Sequence, residues 1–428
     1  MPFFKNKAEF GWSMYDWANS AFTTTIMAGF FPVFFKEYWS QGAEVTVSTA
    51  KLGFANSLAS IIVAMMAPIL GAIADCGGHK KKFLIFFALL GSLASIALYF
   101  VAQGDWLMAA LVYVTGTIGF SGSLIFYDAL LPAVATEHRI DYVSSLGYAM
   151  GYLGGGVLFL LNVAMTLSPQ TFGVADAGAA VRISFISVGI WWGMFTLPII
   201  LFVPEAKRKA ASSLPTLVAD GFRQLSHTFR KVRHMRTIFL FLGAYWLYID
   251  GVDTIIRMAV DYGMSIGFKR DDLIVALLIT QFVGFPCAIV FGRLGEKIGA
   301  KRSIFIGIAV YLAVVLWAVQ MSEAWEFYTL AVVIGFVQGG IQALSRSFYS
   351  RLIPHDQAAE FYGFYNLLGK FAVIFGPILI GLTGLISHNP RVGIASIAIL
   401  FLLGGCLLYF VDEEKGREEA KLLARTAE

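Results

Sequence analysis

Asp250, Asp253, Arg257 and Asp261 follow one another at steps of three, four and four residues inside an otherwise apolar run, and on a helix that spacing sets all four on one face. Ionisable side chains near the centre of a membrane helix cost about 2.5–3.5 kcal/mol each, so they need partners or water and mark ion or solute pathways. Asp253 and Arg257 stand at i, i+4 and can neutralise each other. Asp250 keeps less local compensation and is the candidate for binding and releasing a proton. A second stripe, Gln338, Gln342, Arg346 and Tyr349, is followed by Tyr362, Asn366 and Lys370 at spacings of four. Together with Asp128, the bases Arg346 and Lys370 either engage a solute carboxylate or form an ion network that gates the path. The two readings stand level on the residues alone. Asp16 and Asn19 join the candidates because Asp16-x-x-Asn19-Ser20 matches Asp250-x-x-Asp253-Thr254. Trp17, between them, suits the same cavity or an interfacial anchor.

The elements that position these residues follow from composition. Of the 428 residues 58% are apolar and 14% charged, where a soluble chain carries roughly 25% charge. A soluble enzyme, a disordered chain and a nucleic-acid binder are thereby excluded, and a net charge of +4 is too small for a polyanion-binding surface. Cys76, Cys287 and Cys406 are scattered singly and give neither a disulfide framework nor a metal pair. The first apolar run, from near Phe10, lacks a small-residue cleavage site and is expected to be retained. Runs of about 20 apolar residues predict an all-α integral membrane protein with twelve transmembrane helices. They fall at 12–39, 50–73, 83–102, 105–131, 143–167, 182–203, 237–260, 272–291, 303–321, 325–349, 361–386 and 392–411. The polar interval 204–236 divides them six and six, into a bundle over 1–203, a linker, a bundle over 237–411 and a tail over 412–428. Most of the 32 Lys and Arg residues lie in connections on the side of the two termini. By the positive-inside rule that side is cytoplasmic, in a bacterial-type inner or plasma membrane. Val218, Phe222, Leu225, Phe229 and Val232 predict an amphipathic linker helix on the membrane face, with Arg223, Arg230 and Lys231 toward anionic lipid.

The two halves repeat. Gly71, Asp75, Gly78, Lys80 and Lys81 correspond in order to Gly292, Glu296, Gly299, Lys301 and Arg302, and Phe126, Tyr127, Leu130 and Pro132 to Phe348, Tyr349, Leu352 and Pro354. Parallel repeats joined by a polar linker describe a transporter that rocks one half against the other around a central site. Glycines let helix ends approach closely, and an acid beside bases forms a charge pair that holds one side shut, so the first two sets are a candidate cytoplasmic latch with Asp75 and Glu296 as its acids. Gly147, Gly151 and Gly155 form a ridge for close packing within the chain, and Gly376-Pro377 predicts a kink or close approach in the eleventh span.

The string from Gly71 to Lys81 resembles the loop 2–3 signature of the major facilitator superfamily, with Cys76 and His79 at two positions that are usually basic. Tyr15-Asp-Trp-Ala-Asn-Ser20, Asp250-Gly-Val-Asp-Thr254 and the stretch Gly339 to Ser347 are similar to the vacuolar-effluxer-like permeases, relatives of the autophagy-linked amino-acid exporter of yeast vacuoles. The resemblance covers essentially the whole chain. It implies the major facilitator fold of two six-helix parallel repeats and favours amino-acid efflux.

No enzyme is expected. The Tyr-Asp pairs at 15–16 and 127–128 lack the Gly-x-Gly-Asp partner of an intramembrane aspartyl protease. The histidines 79, 138, 227, 234, 355 and 388 fall in connections, and no P-loop is present. No cofactor and no metal is implied. The expected function is secondary active transport of a small polar or zwitterionic solute, amino acids first, probed against two alternatives: a proton-coupled exporter of apolar compounds and a non-transporting membrane sensor. The partners are the solute, protons or another coupling ion, and membrane lipid, with a monomer as the functional unit.

Overall fold

Backbone polar groups in an apolar phase must be satisfied within their own segment, which leaves the helix as the element for runs of this length. The computed structural model describes residues 3–42, 45–77, 79–205, 235–265, 270–371, 375–387 and 390–425. Its helices are α1 Lys7–Trp39, α2 Val45–Gly77, α3 Lys80–Phe100, α4 Trp106–Val134, α5 Ile140–Leu167 and α6 Ala177–Phe202. They continue as α7 Arg236–Ser265, α8 Arg270–Ile298, α9 Ala300–Gln320 and α10 Ala324–Leu352. The last four are α11 Ala358–Phe371, α12 Phe375–Ser387, α13 Arg391–Tyr409 and α14 Glu413–Arg425. Among the described residues eleven helices, α1 to α10 and α13, are long and apolar enough to cross a membrane. The eleventh predicted span, 361–386, is covered by α11 and α12. The predicted amphipathic linker helix lies outside the described residues.

Polar caps fix where the helices begin. The first starts at Lys7, five residues before the predicted span, because Asn6 Oδ1 accepts the Glu9 amide at 2.8 Å and Glu9 in turn accepts the Lys5 amide at 2.7 Å. Asp105 and Asp176 cap α4 and α6 in the same way. Inside α1 the turns widen to π-helical over Phe22–Phe30 and Phe35–Trp39, a local rearrangement often associated with functional sites. Gly299 joins α8 to α9 at φ +90°, a left-handed conformation that strains any residue with a Cβ.

Small residues decide which helices touch. A Cβ on Gly147 would lie 2.6 Å from Asp16 Oδ2, one on Gly151 2.6 Å from Ser20 Oγ, and one on Gly155 2.8 Å from Thr24 Oγ1. The predicted glycine ridge is therefore spent on packing α1 against α5 within the chain. Two further close approaches join distant parts of the sequence. Gly71 of α2 abuts the backbone of Ala359 and Glu360 in α11, and a Cβ on Gly292 of α8 would stand 2.7 Å from Ser145 Cβ of α5. These glycines occupy corresponding places in the repeat, Gly71 bringing α2 against α11 and Gly292 bringing α8 against α5.

Lysines tie the loops to helix ends. Lys81 Nζ donates to the carbonyls of Ile200 and Val203 at 2.8 and 2.7 Å, and Lys301 Nζ to those of Tyr409 and Val411 at 2.9 and 2.6 Å. Both serve the free carbonyls where a helix ends. The sequence alignment made Lys80 the counterpart of Lys301, whereas in space the counterpart is Lys81. Lys80 is drawn instead to Asp75, with Nζ 2.8 Å from Oδ1.

The α1–α5 contact makes a direct prediction. Gly151→Ala lowers stability by about 1–3 kcal/mol, the range for overpacking a filled interface, read as a lower midpoint of thermal unfolding in detergent. Ser20→Ala, which removes the atom in the way, recovers most of the loss in the double variant. Additive losses would show that the glycine serves another purpose.

Candidate functional site

A guanidinium with nowhere to reach water must find all its acceptors inside the protein. Arg346, on α10, is 2% exposed, and each of its three nitrogens donates to a group of α4 or α5. Its Nη1 donates to Asp128 Oδ1 of α4 at 3.1 Å, its Nε to Ser144 Oγ of α5 at 2.9 Å, and its Nη2 to the Ser144 carbonyl at 2.8 Å. Asp16 Oδ2 of α1 stands 3.7 Å from Nη2. The aromatic faces of Tyr148, Trp12 and Tyr127 lie 4.5, 4.8 and 5.3 Å from the guanidinium carbon, an arrangement that stabilises a cation where water is excluded.

The acids have their own partners. Tyr127 donates from its hydroxyl to Asp16 Oδ2 at 2.7 Å, and Asn366 Nδ2 of α11 donates to Asp128 Oδ2 at 3.2 Å. Tyr362 closes the circuit by donating to the Arg346 carbonyl at 3.1 Å. Ser144, besides accepting from Arg346, donates to the Ala343 carbonyl at 2.7 Å. Helices α1, α4 and α5 are thus joined to α10 and α11 through one buried cation and two carboxylates.

Four of the residues singled out from sequence, Asp16, Asp128, Arg346 and Asn366, meet in this cluster. Asn19 lies buried one turn along α1. Asp250 does not belong to it. That carboxylate is 2% exposed and accepts the Gly376 amide at the start of α12 with both oxygens at 3.1 Å, and the Thr254 hydroxyl at 3.1 Å. An acid at a helix N-terminus meets free amides and the positive end of the helix dipole. A Cβ on Gly376 would collide with Thr254 and approach Asp250, so the predicted close packing in this span is present. Asp253 is half-buried and within electrostatic range of the Tyr148, Tyr152, Tyr245 and Tyr311 hydroxyls. Gln338 and Gln342 are half-buried on α10. The side chains of Arg257 and Lys370 lie outside the described residues.

Toward the face where α1 begins and α14 follows, the latch residues divide. Asp75 accepts the Glu360 amide in the first turn of α11 at 2.8 Å while paired with Lys80, so it bridges the loop to a distant helix. Gly71 and Gly292 make the close approaches already given. Glu296 is exposed, within electrostatic range of Arg139 and Arg293, and Arg302 is exposed as well. Gly78 lies outside the described residues. Ser144, Tyr148 and the pair formed by Asp141 of α5 with Arg351 of α10, 2.8 Å apart, escaped the sequence reading. Their signal was present: Asp141, Ser144 and Tyr148 are spaced by three and four, on the helix that also carries the glycine ridge.

The model of vacuole effluxer Atg22-like proteins matches residues 5–421. The uncharacterized MFS-type transporter YxiO of Bacillus subtilis is 40% identical over 410 residues, which is 95% of each chain. Autophagy-related protein 22 of Pyricularia oryzae is 22% identical over 470 residues, covering 90% of this chain and 68% of that one. Among solved structures, the proton:xylose symporter XylE bound to 6-bromo-6-deoxy-D-glucose superposes with a TM-score of 0.72 at 13% identity, over 97% of this chain and 98% of its own. FucP in the outward conformation gives 0.70 at 11% identity, over 96% of this chain and 100% of its own. These structural likenesses establish the fold.

Removing one member of a buried charge set leaves the others uncompensated, typically at a cost of about 3–5 kcal/mol. Arg346→Gln is therefore expected to lower the thermal midpoint strongly, and adding Asp128→Asn to recover part of it. Arg346→Gln with an unchanged midpoint would mean that the cluster is hydrated and contributes nothing to packing.

Proposed function

The chain belongs to the vacuole effluxer Atg22-like family and has the fold of the major facilitator superfamily, and from that premise we propose how this transporter works. It moves a small polar or zwitterionic solute by alternating access, with amino acids in the efflux direction as the first candidates and protons as the coupling ion. Residues 1–203 and 237–411 act as two six-helix halves joined by the 204–236 linker. The termini face the cytoplasm and one copy of the chain suffices.

The observation that carries this reading is the Arg346 cluster. Asp16 and Asp128 together bring one more charge than Arg346 can balance. Uptake of one proton neutralises the set, and neutral groups part from one another at far less cost than charged ones in an apolar interior. Alternating access requires such a contact to break and reform, because α1, α4 and α5 move away from α10 and α11 when the face of the termini opens. Proton binding at this cluster would couple a pH gradient to that step. All three nitrogens of Arg346 already donate within the protein, which favours a gating role for this residue over direct capture of a solute carboxylate. The half-buried Asp253, Gln338 and Gln342 are the proposed solute contacts. Asp250, at the N-terminus of α12, is the proposed link between solute and the movement of the eleventh span. The effluxer description of the matching family supports the choice of direction.

Purified protein in liposomes, offered a panel of radiolabelled amino acids with and without an imposed pH gradient, tests the reading. Saturable, gradient-dependent flux of at least one amino acid is expected, with the gradient dependence lost in Asp128→Asn. Proton movement stimulated only by apolar drugs would replace this reading with that of a broad-specificity exporter, and no flux of any solute would leave a sensor.

A further inference from the structure

Arg351 ends α10 at a three-way contact. Its Nη1 donates to Asp141 Oδ1 in the first turn of α5 at 2.8 Å, and its Nε stands 2.9 Å from Glu413 Oε1, the first residue of α14. Asp141 also accepts the Ser347 hydroxyl at 2.5 Å. Glu413 is held from its other side by Arg417, 2.8 Å away and one turn further along α14. The helix itself is seated on α7 and α10: Thr237 Oγ1 donates to Glu419 at 3.2 Å, and Gly416 packs against Leu352 and Thr237.

Surface ion pairs between flexible side chains contribute little, because both ends lose freedom in forming them. This contact differs in two respects. The Arg351 and Asp141 side chains are only 8% and 7% exposed, and the Glu413 side chain 28%. Glu413 stands beside Nε while Nη1 donates to Asp141, so Glu413 balances the charge of the guanidinium without competing for the donor that holds Asp141.

We propose that α14 is a clasp on the seam between α5 and α10: Glu413 is a positioning residue that, through Arg351, sets how firmly that seam is held shut. The rest of α14 anchors the carboxylate, which explains why a polar helix at the end of the chain is folded down onto α7 and α10. The clasp rests on the alternating-access reading, since it has a purpose only if the seam opens.

Spin labels at Glu137→Cys and His355→Cys, both exposed in connections on this face, report the seam by double electron–electron resonance. The full-length chain, with Cys76, Cys287 and Cys406 replaced, is reconstituted in lipid nanodiscs and measured across a range of pH. Glu413→Gln is expected to raise the ratio of the long to the short distance by about fivefold, a modest shift of the size a partly buried pair supports. A chain ending at Asp412 should match it, and Glu418→Gln, exposed on the same helix, should leave the distribution unchanged. In an Arg351→Met background, adding Glu413→Gln should do nothing more. Two wild-type populations that Glu413→Gln leaves as they were, or shifts toward the short distance, overturn the clasp alone. So does an equal shift from Glu418→Gln, or a further shift in the Arg351→Met background. A wild-type protein with one short distance at every pH overturns the alternating-access reading and the clasp with it.

Discussion

The buried guanidinium of Arg346 imposes the constraint around which the interior is arranged. An unpaired charge in an apolar medium is intolerable, and its acceptors must come from neighbouring helices because its own backbone groups are committed to the helix. Asp128 and both acceptors of Ser144 meet that demand, with Asp16 at slightly longer range and three aromatic faces around the plane. Each of these groups fixes the position of a helix. Without the cation, Asp16 and Asp128 would be two acids facing one another in an apolar interior.

Such a cluster is a poor way to gain stability. A well-packed apolar set of the same volume often does as well or better, because desolvation offsets most of the Coulombic gain. What charges offer instead is a contact whose strength changes with protonation. The glycine approaches serve the opposite purpose. Gly147, Gly151 and Gly155 bring α1 against α5 so closely that a Cβ at any of them would meet an α1 atom within 3 Å. Gly71 against α11 and Gly292 against α5 make tight contacts across the proposed halves, at the ends nearest the termini. Permanent packing within a half and titratable contacts between halves are what a rocking mechanism requires.

Much of this was legible in the sequence. Uninterrupted apolar length announces a membrane helix almost unambiguously, and the repeat of acid, glycine and paired bases pointed to the α2 and α8 ends. The intramembrane polar residues were also visible, since each is an exception to its surroundings, and Asp16, Asp128, Arg346 and Asn366 meet in one cluster. Their partnership was not legible, because the contacts run between residues more than 200 positions apart, as in Arg346 with Asp128 and Ser144. Asp250 was judged by its helix neighbours, whereas its partner is the start of α12 in the fold. Lys81 shows a subtler limit: a one-residue shift in the loop changes which lysine reaches the helix end, and only the backbone path decides it. Ser144 and Asp141 were overlooked because short polar side chains on a glycine-rich helix read as packing.

If the Arg346 cluster holds the face of the termini closed, weakening it must open the seam beneath it. Ser145, fully buried where α5 meets Gly292 of α8, reports that closure directly. With Ser145→Cys in a chain lacking its native cysteines, the rate of alkylation by a membrane-impermeant maleimide applied from that face measures how often the seam opens. Adding Arg346→Gln to a protein that still elutes as a single folded species should raise this rate by about tenfold or more, the change that ~1.4 kcal/mol produces in a two-state equilibrium. An unchanged rate in that variant would contradict the account.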